Sequence, residues 1–360
     1  MSEFTAAEVV LPCARLAETL EFFVERLGFR VAAIFPADGP RVAVIAGHGL
    51  RLRLEQGRTG DAGTICLRCA GAVPADVVAP NGTRIEFVAA ESAVVVPPLQ
   101  AALVVTQMDG DAWGAGRAGM GYRDLIPGRL GGRFIASHIR IAEDGSVPDY
   151  VHFHRIRFQI IYCVRGAVQV VYEDQGPPFV LAAGELVVQP PGIRHRVLAS
   201  TGKVEVVEVT CPAEHETIAD LELTLPNATV ELAREFAGQR FHHYRVEQGE
   251  WGRWRVDGFR ARDTGVLAAT DGVGAVHVVR PGSGVMATPE MRHDAELVFL
   301  FVLGGAATLQ CEGQAQRLAA GASAAIPAGM WHALVECTEE LELLEVCVPG
   351  AFTTTVRARG

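Results

Sequence analysis

Lysine is almost absent from this 360-residue chain, because Lys203 is the only one. No lysine follows a glycine-rich loop, so a phosphate-binding P-loop is excluded and lysine Schiff-base chemistry is disfavoured. Long apolar runs are also missing: no stretch of about 18 uncharged apolar residues occurs, and we expect no membrane span. The formal net charge of −10 argues against a nucleic-acid-binding surface.

The eight cysteines are scattered rather than clustered, so their spacing gives no disulfide framework. Residues 1–5 lack the basic and apolar regions of a secretory signal, and we therefore expect a cytoplasmic protein with reduced thiols. Cys66 and Cys69 form a lone C-x2-C pair, which we interpret as structural. What the chain does have is an ordinary apolar share of 49% and a length suited to about two or three domains.

Two histidines two positions apart are the first feature that points to chemistry. His152 and His154 would project from the same face of a β-strand. His195 follows a Pro-Pro-Gly turn at 190–192 and would add a third imidazole from another strand. Several neutral imidazoles that converge from one side are what a divalent metal ion requires. The sequence therefore predicts a metal site between these strands.

Around these histidines the chain resembles the cupin family, whose members are small antiparallel β-barrels that often hold one metal ion. The first cupin motif, G-x5-H-x-H-x3-4-E-x6-G, is matched by His152, His154 and Gly166, and Gln159 stands where the family usually has glutamate. The second motif, G-x5-P-x-G-x2-H, is matched without a gap at Gly184, Pro190, Gly192 and His195. The resemblance implies a cupin barrel over residues 104–225 with the metal ligands His152, His154, His195 and Gln159.

Strand-like apolar segments fill this region between turns, at 134–142, 158–164, 167–173, 185–189, 195–199 and 204–210. Residues 93–103 precede it as a linker, since consecutive prolines make a chain extended and stiff. Residues 226–262 follow it as a connector. There we predict a short helix at 229–237 that Asn227 caps and Gly238 ends.

The second half of the chain contains an internal repeat. The second motif recurs in full 137 positions later, at Gly321, Pro327, Gly329 and His332. A second cupin barrel is therefore predicted at 263–350, followed by a tail at 351–360. Aligning the first motifs gives the partners His293 for His154, Met291 for His152 and Val298 for Gln159. Two histidines beside methionine and valine make a poor site for a divalent ion, so we expect the second site to be degenerate.

Residues 1–92 have a different pattern, in which one strand and one helix precede three further strands and a fourth follows a turn at 80–82. The helix is predicted from leucines and a phenylalanine at helical spacing, at Leu16, Leu20, Phe23 and Leu27. The strands are predicted at 9–11, 31–35, 42–46, 51–55 and 84–88. The order and the segment Asn-Gly-Thr-Arg-Ile-Glu at 81–86 resemble one βαβββ module of the glyoxalase/bleomycin-resistance (vicinal oxygen chelate) superfamily.

Modules of that superfamily pair to build a metal site from histidine and glutamate. Glu86 occupies the usual glutamate position here, but Glu8 stands where histidine is usual. We therefore expect a structural or dimerising module rather than a second active site. Because both resembled families often form dimers, a homodimer is expected.

The first predicted site combines three imidazoles with a neutral amide, so the charge of a bound divalent ion would stay largely uncompensated. Such an ion favours an anionic ligand, for example a carboxylate, an enolate or a catecholate. Two roles are open for Gln159, direct ligation through its oxygen or a hydrogen bond to a bound ligand. Candidates for pairing with a substrate anion are Arg140, Arg157, Arg194 and Arg196.

Three-histidine cupins are commonly iron(II) dioxygenases, including ring-cleaving enzymes with two barrels. The resemblance implies one divalent ion per chain, with Fe(II) favoured over Mn, Ni, Cu or Zn. It also implies an enzyme that oxidises a small anionic organic substrate with dioxygen. The alternatives are a non-oxidative metal-dependent isomerase, lyase or hydrolase, and a non-catalytic protein that binds small molecules.

Overall fold

The computed structural model describes residues 4–91, 93–108 and 113–357. The chain divides into two compact units, residues 1–93 and 94–360. Strands dominate both units, as predicted, and the helices are short. No helix within the described ranges is long and apolar enough to cross a membrane.

The N-terminal unit begins with the predicted βαβββ order. Strand β1 (Val9–Pro12) precedes helix α1 (Leu16–Glu21), which continues as one π-helical turn (Phe22–Arg26). Gly28 ends the helix in the left-handed conformation, at φ 72°. The strands that follow are β2 (Arg30–Phe35), β3 (Val42–Gly47) and β4 (Leu50–Glu55). They form a sheet in the order β1-β4-β3-β2, in which β1 runs parallel to β4.

The same unit contains a second, three-stranded sheet that the sequence pattern predicts only in part. It consists of β5 (Thr64–Cys69), β6 (Val77–Val78) and β7 (Arg84–Ala89), in the order β5-β7-β6. Only β7 is predicted, because β5 turns Thr64, Cys66 and Arg68 to solvent and has just a short apolar face. All eight cysteines of the chain are free thiols.

The second unit contains two β-barrels in tandem. It begins with β8 (Val104–Thr106), and the strands of the first barrel follow in chain order. They are β9 (Gly114–Ala115), β10 (Gly121–Asp124), β11 (Ile135–Ile141), β12 (Gly145–Ser146), β13 (His152–His154), β14 (Phe158–Tyr172), β15 (Phe179–Ala182), β16 (Leu186–Val188), β17 (His195–Cys211) and β18 (Thr217–Ala219). The predicted strands 158–164 and 167–173 form the single long strand β14, and the predicted strands 195–199 and 204–210 form β17. Each pair is continuous because β-bulges accommodate the irregular residues between the two predicted segments.

The second barrel follows a connecting segment. The connecting strands are β19 (Glu235–Phe236), β20 (Gln239–Arg240), β21 (His242–Tyr244) and β22 (Trp251–Arg253). The barrel comprises β23 (Phe259–Asp263), β24 (Ala275–Pro281), β25 (Met291–His293), β26 (Leu297–Gly304), β27 (Ala306–Cys311), β28 (Gln314–Ala319), β29 (Ser323–Ile326), β30 (His332–Val335), β31 (Glu342–Val348) and β32 (Thr354–Val356). Single helical turns occur at Arg117–Gly119, Arg129–Gly132, Val246–Gln248 and Val266–Ala269.

The segment before each barrel contributes a strand to the other barrel. Strand β8 precedes the first barrel in the chain but pairs with β29 of the second, and β21 follows the first barrel and pairs back onto its β16. The predicted domain 104–225 therefore contains at its start a strand that belongs to the other barrel. Local hydrophobic alternation identifies a strand but does not identify its partner, which long-range register decides.

The helix predicted at 229–237 is wrong. Ala237 and Gly238, both at positive φ, form the turn of the hairpin between β19 and β20, which buries Phe236. The side chain of Asn227 accepts a hydrogen bond of 2.9 Å from the Asp174 backbone N–H and caps no helix. Burial of one aromatic side chain in a hairpin outweighs the helical tendency of the intervening residues.

A shared apolar core holds the barrels together. Phe158 and Val207 of the first barrel belong to the same buried cluster as Phe299 and Leu344 of the second. The predicted linker lies along this core, since Val96 and Leu99 pack against it and the Gln100 N–H donates to the Leu130 carbonyl at 3.0 Å. Residues 94–103 are thus part of the double barrel rather than a free spacer.

Candidate metal centre

Three buried histidines meet inside the first barrel, as predicted. His152 on β13 is the register partner of His195 on the antiparallel strand β17, and His154 lies on the same face of β13. One ring nitrogen from each of the three side chains lies within 4.8 Å of the others. The motif spacing thus places all three imidazoles around one point.

Each imidazole is oriented by a hydrogen bond through its Nδ1 atom. The Nδ1–H of His152 donates to the Tyr150 carbonyl at 2.8 Å, and that of His195 donates to the Ile193 carbonyl at 3.1 Å. The Nδ1 of His154 lies 3.1 Å from the Thr217 hydroxyl. These contacts leave the Nε2 atoms to the centre, and the Nε2 of His152 is buried without a hydrogen-bond partner. A metal ion would satisfy such an arrangement.

The environment keeps the three rings neutral. Burial lowers the pKa of His154 to about 2, with the neighbouring His152 and His215 adding to the shift. Burial also lowers the pKa of His152 and of His195, and the Arg117 guanidinium contributes to both shifts. Neutral imidazole is the form that ligates a metal, so the site does not have to lose protons before binding at neutral pH.

Replacement of Thr217 by valine is expected to weaken metal binding by roughly tenfold, because the hydroxyl orients His154 from outside the ligand shell. The measurement is competitive titration of the protein against a chelator of known affinity. Thr201→Val, on an exposed part of the same sheet, is the matched control. Equal affinity in both variants would show that Thr217 does not hold the imidazole.

Gln159, the predicted fourth ligand, is buried inside the first barrel. It pairs in register with Thr210 on β17, which places Gln159 and Ile161 on the face that the barrel encloses. Both amide atoms of Gln159 are buried without a hydrogen-bond partner. An unsatisfied buried amide is costly, so this side chain fits either of its two predicted roles, ligation or a hydrogen bond to a bound molecule.

A small cavity of about 70 Å³ adjoins the histidines. Most of its wall is aliphatic, from residues such as Ile139, Ile161 and Val206. The polar residues that border it are His154, His195, Gln189, Tyr172, Tyr122, Arg117, Arg196 and Glu208. The arrangement suits a small molecule with an apolar body and a few polar groups.

Arg117 and Glu208 are cavity residues that the motif analysis does not identify. Arg117 forms an ion pair with the buried Asp149, and its Nη1 lies 3.4 Å from the Nδ1 of His152. Burial raises the pKa of the Glu208 carboxyl, while the charge of Arg117 and the nearby amide of Gln159 oppose the shift. That amide is close to Glu208 but makes no hydrogen bond of ordinary geometry. The internal repeat could have identified Glu208, because Glu345 stands 137 positions later, at the offset of the second motif.

The arginines predicted to meet a substrate anion lie in different places. Arg140 is exposed and stacks on Trp113 at 4.4 Å, and Arg157 lies 3.8 Å from Glu296, so the structure brings neither to the cavity. Arg194 is held by Asp220 at 3.2 Å. Arg196 does border the cavity, and its Nε is buried without a hydrogen-bond partner. The register is regular here, pairing Tyr172 with His195 and Val171 with Arg196, so the two side chains leave β17 on opposite faces as predicted.

The second barrel keeps the geometry of the repeat but only two of its three histidines. Met291 is the register partner of His332, as His152 is of His195, which supports the motif alignment. The His293 and His332 rings lie 6.0 Å apart, and Val298 replaces the amide. Within the described ranges, His152, His154 and His195 form the one group of three or more side chains placed to hold a metal ion.

The glutamates of the N-terminal unit are engaged with arginines. Glu8 accepts a hydrogen bond of 2.8 Å from Arg51, and Glu86 is half-exposed at 3.6 Å from Arg84. No third ligand joins either of them among the residues described. A metal role for Glu86 would therefore need ligands from outside the described residues, such as a partner module in another chain.

Comparison with known proteins agrees with this description. Residues 137–210 and 275–348 each match the cupin domain family. A salicylate 1,2-dioxygenase from Pseudoaminobacter salicylatoxidans, crystallised with gentisate, has a TM-score of 0.55 and 15% identity, covering 74% of this chain and 87% of its own. An oxalate decarboxylase from Bacillus subtilis has a TM-score of 0.52 and 15% identity, covering 74% and 81%. Identity this low shows a common fold only. No curated protein matches the chain.

Proposed function

Because the chain contains two cupin domains, we propose that the first is the metal site of an enzyme that oxidises a small anionic organic substrate with dioxygen. The observation that carries the proposal is the convergence of three neutral, buried imidazoles, each oriented through Nδ1. We propose one divalent ion per chain, with Fe(II) favoured and Mn, Ni, Cu or Zn also compatible with the donor set.

The charges around the centre favour an anion there. A bound divalent ion supplies Lewis acidity and open coordination positions, and three histidines with Gln159 give it no negative ligand. Arg196 borders the cavity and has no ion-pair partner closer than 4.0 Å among the described residues, so we expect it to pair with a substrate carboxylate or enolate. The aliphatic wall excludes water and strengthens both interactions.

The structural neighbours point to two reaction classes. The salicylate 1,2-dioxygenase supports an oxygen-dependent reaction, and the oxalate decarboxylase supports the alternative of a non-oxidative, metal-dependent lyase. A non-catalytic binding protein is the third candidate. We expect stoichiometric oxygen uptake when metal-loaded protein meets its substrate. Anaerobic turnover would support the lyase, and tight binding without any product would support the binding protein.

Replacement of Gln159 by glutamate is expected to retain the metal but to lower turnover by roughly tenfold or more, because it places a negative charge beside the ion. Metal content and the rate of substrate consumption are measured together. Gln169→Glu makes the same change at an exposed position of the same strand and should leave both unaltered. If Gln159→Glu also leaves both unaltered, the Gln159 side chain is not next to the ion.

A further inference from the structure

The internal repeat places two glutamates at equivalent positions. Glu208 on β17 and Glu345 on β31 are 137 positions apart, the offset of the whole second motif. Each lies on the strand that pairs with the central strand of its barrel, Glu208 opposite Ile161 and Glu345 opposite Leu300. The two carboxylates share an ancestral position, so their surroundings can be compared directly.

Glu345 is fully engaged by its own barrel. It forms an ion pair with Arg255, accepts a hydrogen bond of 2.9 Å from the Trp254 indole, and lies 3.5 Å from His277. Burial alone would raise the pKa of Glu345, but the charges of Arg255 and His277 and the indole N–H outweigh it and hold the pKa at about 2. In the second barrel this carboxylate is therefore structural.

Glu208 lacks such partners. Its carboxylate accepts a long hydrogen bond of 3.5 Å from the Thr210 hydroxyl, and the Gln159 amide lies close to it without a hydrogen bond of ordinary geometry. Arg117 lies near the position that Arg255 takes in the repeat, but the buried Asp149 binds it instead. Asp149 also accepts a hydrogen bond of 2.9 Å from the Val197 N–H and so is fixed in place. Arg117 and Glu208 both border the cavity, and the arginine charge acts on the Glu208 carboxylate without forming an ion pair within 4.0 Å.

A metal role does not account for Glu208. Its carboxylate is not part of the group of ligand atoms that lie within 4.8 Å of one another. A structural role does not account for it either, because a half-buried carboxylate whose hydrogen bond is a long one contributes little to stability. The remaining explanation is a molecule that enters the cavity and donates a hydrogen bond.

We propose that Glu208 binds a hydroxyl or ammonium group of the substrate, and that the substrate is a short aliphatic acid which carries this donor. This inference rests on the proposed function in one respect, that the metal-bearing cavity takes an organic substrate. We expect a short substrate because the cavity volume of about 70 Å³ is roughly half of the ~150 Å³ that holds a benzene ring. The anionic end pairs with the ion and Arg196, and the donor end reaches Glu208.

The test compares three probes with one carbon skeleton, propionate, lactate and alanine. Their affinities are measured by calorimetry for protein loaded with one Zn²⁺ per chain, so no turnover is needed. We expect wild-type protein to bind lactate or alanine at least about tenfold more tightly than propionate. Glu208→Leu should reduce that preference to within about twofold, with unchanged metal content and unchanged melting temperature.

Glu208→Gln distinguishes the two donors. Its amide oxygen still accepts a hydrogen bond but carries no charge, so a preference for lactate should largely persist and a preference for alanine should disappear. Equal binding of all three probes to wild-type protein, or an unchanged preference in Glu208→Leu, would overturn the role of Glu208. No binding of any probe would overturn the substrate class. Either result can occur while oxygen uptake with another substrate still supports the proposed function.

Discussion

Replacement of His154 by alanine is expected to lower metal affinity at least ~100-fold, whereas His293→Ala and His332→Ala should leave it within about twofold. His154 is one of three ligands whose nitrogens lie within 4.8 Å of one another. Removal of a residue that only orients a ligand lowers metal affinity by up to ~100-fold, so removal of a ligand itself lowers metal affinity by more. His293 is the repeat partner of His154, which makes it the closest control that the chain offers.

The reason for the asymmetry lies beside the second histidine pair. Met291 faces His332 where the first barrel has His152, and a thioether is a poor ligand for the hard divalent ions. The affected variants should keep their far-ultraviolet circular dichroism, because each replacement truncates one side chain on a strand within a large sheet. Equal metal loss in His154→Ala and His332→Ala would contradict an account in which only the first barrel binds an ion.

Replacement of Glu345 by glutamine is expected to lower the free energy of unfolding by about 3 kcal/mol. The carboxylate is 1% exposed and the Arg255 side chain 17%, so the variant leaves a largely buried guanidinium without its charge partner. Urea unfolding is followed by tryptophan fluorescence, to which Trp254, the indole that donates to Glu345, contributes as one of four tryptophans. Metal content should not change.

Glu290→Gln is the control for this prediction. Glu290 pairs with Arg357 at 2.6 Å, but both side chains are exposed, and such a pair contributes less than about 1 kcal/mol. A loss of under 1 kcal/mol in both variants would mean that the Arg255–Glu345 pair does not support the second barrel. A loss of metal in Glu345→Gln would indicate that the second barrel binds an ion, contrary to the account.

The histidine site could be predicted from the sequence because its geometry is local to motifs. His152 and His154 need only a strand to share a face, and the Pro-Pro-Gly turn before His195 sets where that strand begins. The repeat likewise located the second barrel and its missing ligands. The helix of the N-terminal unit was predictable from its apolar spacing, which Leu16, Phe23 and Leu27 confirm by their burial.

The features that could not be predicted depend on contacts between distant segments. The exchange of β8 and β21 is decided by pairing across the double barrel, which no local pattern encodes. Arg140 was a candidate for pairing with a substrate anion, yet stacking on Trp113 accounts for its position. Arg117 comes from a single helical turn between β9 and β10, and only the fold brings it to His152.

The most direct test of the central claim is the metal content per chain of wild-type protein purified without added metal, with His152→Ala measured beside it. We predict about one ion per wild-type chain and almost none in the variant, because His152 supplies one of three converging ligands. The identity of the ion would then rank the oxygenase against the non-oxidative enzyme. Wild-type protein that holds no ion, even after anaerobic loading with iron, would contradict the claim that the first barrel is a metal site.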